Sequence, residues 1–315
     1  MTAHTNLGLS GIAPMRVDPE RGHKTRVHIA WSIAIALIVG IAAYGYDYYT
    51  VDSAARAFSS KHVLLRPSGK IGVKLGILAL TMFAGLFLYA LRKKIAWLGK
   101  LGKAKHWLDF HIVLGTVAPI VVAFHASFKF RGIAGMAFWI MVAVALSGVV
   151  GRYIYAQIPR SLNSTELSLK DIETMEQEMT DQLATQKVIS ARQLEPLFRL
   201  PARERVLNES AVAVLFELLS LDIMKVILVA RLRTNKLGAL GVMTTLGGLL
   251  PTKNEDLEAV IRTARRKSTL TKRAVFLERT QQVFHLWHVV HRPFSYSFAV
   301  LALLHVSVAM LLGFL

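Results

Sequence analysis

The sequence predicts an all-α membrane protein: a five-span transmembrane helical bundle with a helical cytoplasmic insert. Three observations predict it. Of 315 residues 53% are hydrophobic, yet the formal net charge is +18, a combination that suits a membrane protein with charged loops better than a single soluble globule. Five stretches stay apolar over about 20 residues, enough at 1.5 Å per residue to cross a hydrocarbon core of roughly 30 Å. Finally, the basic residues alternate between the loops in step with those five crossings.

The spans are residues 27–46, 71–91, 107–128, 132–151 and 293–315. In the second, Lys74 lies near the end, where a long side chain snorkels to the interface. Trp31, Tyr44, Tyr46, Tyr89, Trp107, Tyr153 and Trp287 sit near span ends as interfacial anchors do. Residues 1–26 form a cytoplasmic tail carrying Arg16, Arg21, Lys24 and Arg26. The loop RKKIAWLGKLGKAK holds six basic residues and no acid, and the approach to span five is rich in arginine and lysine. Five spans put all three on one side, with the N-terminus cytoplasmic and the C-terminus outside. The first span follows a polar tail of more than 20 residues, so it reads as an uncleaved anchor rather than a signal peptide.

Residues 27–155 hold spans one to four, 156–282 the insert and 283–315 span five. In the insert, SLKDIETMEQEMTDQLATQKVI opens a helix at a cap, Ser168, and the acids Glu166, just before the cap, and Asp171, Glu173, Glu176, Glu178 and Asp181 along the helix cluster there. A solvated face accounts for them, with a docking surface for a basic partner as the alternative. Further helices are expected over 201–209, 211–230 and 255–267. Residues 211–230 are apolar enough to suggest a sixth span, but Glu217, Asp222 and Lys225 fall within about 140° of one another on a helical wheel. The stretch is therefore expected to lie in the membrane interface or to pack on the rest of the insert. Residues 238–250 are too short to span and read as an interfacial or re-entrant turn.

The chain has no cysteine. That excludes disulfides, thiolate metal sites, iron–sulfur clusters and covalent haem attachment through C-x-x-C-H. No Walker or dinucleotide fingerprint and no nucleic-acid module is present. Any redox cofactor must be held by other ligands, and histidines supply them. HIVLGTVAPIVVAFH runs from His111 to His125 and HRPFSYSFAVLALLH from His291 to His305, each an interval of 14 residues. Fourteen residues advance a helix by about 21 Å and leave the two side chains only about 40° apart. Spans three and five run in the same direction, so His111 lies level with His291 near the inner side and His125 with His305 near the outer side. Two sites of two imidazoles each suit haem iron, which takes one axial ligand on each face of the porphyrin.

Other histidines are out of phase: His106 to His125 and His288 to His305 by about 100°, His285 to His305 by about 160°. His4, His23, His28, His62, His106, His285 and His288 are expected on surfaces or loops, with His288 the substitute for His291. Gly115, one turn after His111, lowers the helix wall for a flat macrocycle, while Pro119 and Pro293 threaten the phase by kinking their helices. Ala143, Ser147 and Gly151 form a small-residue stripe for close helix packing. Arg152 at the inner end, and Lys129 and Arg131 at the outer, are positioned either for haem propionates or simply as topology signals. Competing readings make the four histidines a proton or metal relay, or polar packing residues.

The pairs His111 with His125 and His291 with His305, each on its own span, resemble the di-haem b-type membrane cytochromes, the group of quinol-oxidising cytochrome b and the ferric-reductase-like membrane domains. The run GVVGRYIYAQIPRSL also resembles an uncharacterised bacterial branch of these proteins. The resemblance covers the bundle and not the insert. It implies two non-covalent b haems passing electrons across the membrane, with a quinone, a cytoplasmic dehydrogenase or a soluble redox protein as partner. The five-span count and the long loop before the last span depart from the better-known members. So does the lack of a flavin or NADPH domain. A quinol or metal-ion reductase with its own substrate site is the enzymatic alternative.

Overall fold

Long apolar runs must satisfy their backbone N–H and C=O groups internally once water is excluded, and helix does so within a single segment. The computed structural model describes residues 20–92, 94–158 and 169–313, without the side chains of 169, 170, 239 and 240. No strand occurs among the described residues. The principal helices are α1 (Arg21–Tyr44), α2 (Lys70–Arg92), α3 (Ala104–His125), α4 (Gly132–Gln157), α5 (Leu169–Thr185), α6 (Ala211–Thr234) and α7 (Glu255–Leu311). Among them α1 to α4 and α7 are long and apolar enough to cross a membrane, matching the five expected spans. The cap Ser168, the acid Glu166 and the tail before residue 20 lie outside the described residues.

The chain divides into two units, Met1–Ala145 with Ser295–Leu315, and Leu146–Phe294. In the first, Leu75, Ala79 and Met82 of α2 meet Val113, Val117, Val121 and Phe124 of α3, with Ala34 of α1 added. The spacing of three and four places each set on one face of its helix. Phe298 of α7 joins Ala123, Phe138 and Met141 and meets Phe83 edge-on at 4.7 Å. The connection between α1 and α2 is tied down by Arg56. Its guanidinium is buried and donates to the carbonyls of Tyr49, Val51 and Ser127, so this cation holds the connection together.

In the second unit α6 packs on the first half of α7 through Val229, Leu232, Leu257, Val260, Ile261 and Ala264. Val206, Val214, Leu218 and Phe276 form a second cluster. In α5, Ile172 and Met179 are buried while Asp171, Glu173, Glu178 and Asp181 stay exposed, the amphipathic pattern of a solvated acidic face.

Some local expectations change. Instead of separate helices at 255–267 and 293–315, α7 runs unbroken for 57 residues through Pro293. Residues 268–292 contain neither Gly nor Pro, so nothing stops the helix, and one proline removes only one N–H from a ladder held on both sides. Helix α3 likewise continues through Pro119 to His125. The 201–209 helix shortens to Arg203–Asn208, and the 238–250 turn contains a short helix, Ala239–Thr244. Left-handed Leu246, Gly247 and Gly248 follow it. A Cβ at Gly248 would collide with the carbonyl of Ala230, so glycine is required there.

Candidate functional site

Helix α3 ends on His125, and α2 supplies two features that set its ring. Nδ1 of His125 lies 2.8 Å from the carbonyl oxygen of Gly72. A carbonyl only accepts, so Nδ1 carries the proton of a neutral ring and Nε2 keeps its lone pair. One turn along α2, a Cβ at Gly76 would stand 2.8 Å from the ring's Cε1 and 3.0 Å from Nδ1. Only glycine lets the imidazole lie this close to the α2 backbone. His305 of α7 is exposed, and its ring centroid is 6.4 Å from that of His125 with 72° between the planes. Two metal–imidazole bonds of about 2 Å and two nitrogen-to-centre distances of about 1 Å add to roughly 6 Å. The observed separation is of the same size.

In the second unit His291 is held with comparable precision. Ser147 Oγ of α4 lies 2.7 Å from Nδ1 of His291. The Trp287 indole N–H donates to the Ser147 carbonyl at 2.7 Å, and its ring stacks on His291 at 4.6 Å. A Cβ at Gly151 would run into the Trp287 ring, and one at Gly148 would stand 3.8 Å from Cε1 of His291. The stripe Ala143, Ser147, Gly151 does more than bring helices close: it seats Trp287 and gives His291 a hydrogen-bond partner. Nδ1 of His288 lies 3.2 Å from the carbonyl of Phe284, one turn back on its own helix.

His111 is half-buried on α3, with Tyr89 of α2 at 5.1 Å. His111 and His291 belong to different units, and each is placed here within its own. A Cβ at Gly115 would meet only Leu86, at an ordinary 3.7 Å. Its lack of a side chain is thus not demanded by helix packing and leaves a shallow notch. Lys129 and Arg131 are exposed, and Arg152 is half-buried with its guanidinium 5.7 Å from the centre of the Tyr155 ring.

One histidine expected at the surface is not there. His23 is buried, its Nε2 3.0 Å from Asp109, and its ring stacks on His106 at 3.6 Å. The reason is the Asp109 carboxylate on α3, far away in sequence, which gives the imidazole a partner inside. His62 lies half-buried in the connection between α1 and α2, as expected, and pairs with the Tyr48 hydroxyl at 3.1 Å. Among the described residues no three His, Asp or Glu side chains come together as a metal site. Of the four histidines singled out by the sequence, His125 and His305 come together as a pair of imidazoles. The sequence signal missed for His125 is the Gly72, Gly76 spacing on α2, a small-residue step that marks close approach.

No family model, no curated protein and no solved structure matches the chain.

Proposed function

We propose that the protein is a multi-pass b-type cytochrome that carries electrons across a membrane through two bis-histidine haems. The observation that carries this reading is the His125–His305 pair, with ring centroids 6.4 Å apart and the His125 Nδ1 proton committed to Gly72. Two imidazoles alone make a poor site for a bare metal ion, whereas a porphyrin brings the other four ligands itself. His125 and His305 would hold the outer haem. His111 and His291 would hold the inner one, on the strength of the repeated interval of 14 residues and the Ser147 contact at His291.

A bound haem would supply a one-electron iron couple. The chain's own residues tune and shield it. The Gly72 carbonyl fixes the tautomer of His125 and makes its Nε2 more basic, which favours the oxidised state. Ser147 Oγ, 2.7 Å from Nδ1 of His291, would accept its proton once Nε2 bound iron. Val121 and Phe124 beside His125 are buried and help keep water from the site. Lys129, Arg131 and Arg152 are the cations within this scheme for propionates. The N-terminus is cytoplasmic, the C-terminus outside, in a bacterial inner membrane. The donor and acceptor come from outside the chain: a quinone in the bilayer and a redox partner protein.

The test is the purified protein in detergent, with oxidised and reduced spectra and a pyridine haemochrome count. About two b haems per chain are expected, falling to about one in His125→Ala or His305→Ala. A colourless protein from haem-replete cells sinks the proposal and leaves a histidine relay for protons or metal ions.

A further inference from the structure

Helix α6 is built inside out. Glu217, Asp222, Lys225 and Arg233 face the interior of the insert. Asp222 accepts hydrogen bonds from Lys272 at 2.6 Å, Tyr153 at 2.8 Å and Gln157 at 3.3 Å, and pairs with Lys225 at 3.3 Å. Lys225 in turn donates to Thr269 at 3.0 Å, and Glu217 is half-buried. The opposite face carries Val212, Phe216, Leu219, Ile223, Val226 and Ile227, exposed by 63%, 70%, 46%, 53%, 51% and 41%. At 100° per residue these six fall within an arc of about 100°. Between Val212 and Ile227 nothing polar interrupts that arc. The turn that follows adds Met243, Leu246, Leu249 and Leu250, all exposed.

A continuous apolar surface of this size is not left in water. We infer that this face of α6, with the 243–250 turn, lies in the lipid interface of the cytoplasmic leaflet, so that the insert lies against the bilayer instead of projecting from it. Three observations select lipid over a protein partner. First, Tyr153 and Gln157, which hold Asp222, form the inner end of α4 just beyond its apolar stretch, which puts the middle of α6 at the depth of a membrane surface. Second, the chain enters the insert from one candidate span and leaves it along another, so a bilayer is always within reach. Third, from Ala211 to Asn254 the only acids are Glu217 and Asp222, both on the inward face. Arg231, Lys236 and Lys253 are exposed around the apolar residues. Apolar side chains rimmed by cations match acyl chains under anionic headgroups.

This inference stands apart from the haem reading, since it uses none of the four histidines. The absence of cysteine makes its test clean. Single cysteines at Phe216, Ile223 and Ile227, and at Asp256 as an aqueous reference, are spin-labelled in the full-length protein. The protein is then reconstituted in vesicles of phosphatidylcholine with about a third phosphatidylglycerol. Collisional relaxation by oxygen is compared with that by a water-soluble nickel chelate. Lipid contact predicts oxygen accessibility several-fold above nickel accessibility at the three α6 positions, and the reverse at Asp256. Nickel accessibility equal to that at Asp256 overturns the inference, because the face is then in water. Low accessibility to both reagents at all three positions also overturns it, because protein then covers the face. Three separate labels guard against one misfolded variant.

Discussion

At His125 two backbone positions, rather than two side chains, decide what the imidazole can do. Gly72 offers its carbonyl, and Gly76 withdraws its side chain so that the ring can reach it. A valine at 76 places its Cβ within 3 Å of a ring that is already pinned, and either the ring or α2 must move. Gly76→Val is therefore expected to lose about one of two haems in the haemochrome count. Gly115→Ala, whose Cβ meets Leu86 at 3.7 Å, leaves the fold intact. Equal haem content in wild type and Gly76→Val would show that the close approach is dispensable. Ser147 plays the matching part at His291: its Oγ lies 2.7 Å from Nδ1 and holds the ring plane, and Nδ1 would donate to that oxygen once Nε2 bound a metal.

At the scale of elements, α6 and α7 are locked by a buried ion pair. Arg233 and Glu258 bond twice, at 2.9 and 2.8 Å. Arg233 also donates to the carbonyls of Gly248 and Leu249, and Glu258 accepts the Thr252 amide at 2.9 Å. The pair thus closes the 245–254 turn onto the helices. Removing one partner strands a buried charge, so Arg233→Ala should destabilise the insert by about 3–5 kcal/mol, read as lost hydrogen-exchange protection in α6 and the start of α7. Burial pushes the Glu258 carboxyl up, but the hydrogen-bonded Arg233 and the Thr252 amide pull it further down, below the ordinary 4.5. A carboxyl depressed in the folded state stabilises fully above its unfolded value and loses that contribution as pH falls through the folded one. Protection in this turn, corrected for intrinsic exchange rate, should hold at neutral pH and decline in acid below about 4.5. In Glu258→Gln that acid-dependent component should be absent, and an unchanged decline would assign it elsewhere.

Over the whole molecule, charge and hydropathy set which loops face which side. The positive-inside bias predicts that Lys129→Cys is labelled by an impermeant maleimide in intact cells, and Lys100→Cys only after lysis; the opposite pattern would invert the topology. Five spans, the acidic solvated face of α5 and the matched histidine intervals were all legible along the chain. Each depends on one segment at a time: apolar length against membrane thickness, or a fixed helical turn of 100° per residue. The polar stripe of α6 was equally legible, but its direction was not, because the Asp222 partners Tyr153 and Lys272 come from 69 and 50 residues away. His23 looked like a surface histidine for the same reason, its acid being 86 residues distant. By itself, then, the sequence determined the helical class, the number of apolar helices long enough to cross a membrane and the 14-residue spacing of the histidines, all of which follow from local period and solvent preference. Tertiary structure alone decided which carbonyl orients His125, that Ser147 serves His291 and that α6 turns its apolar face outward. Those are choices between groups distant in sequence, made only when packing brings the helices together.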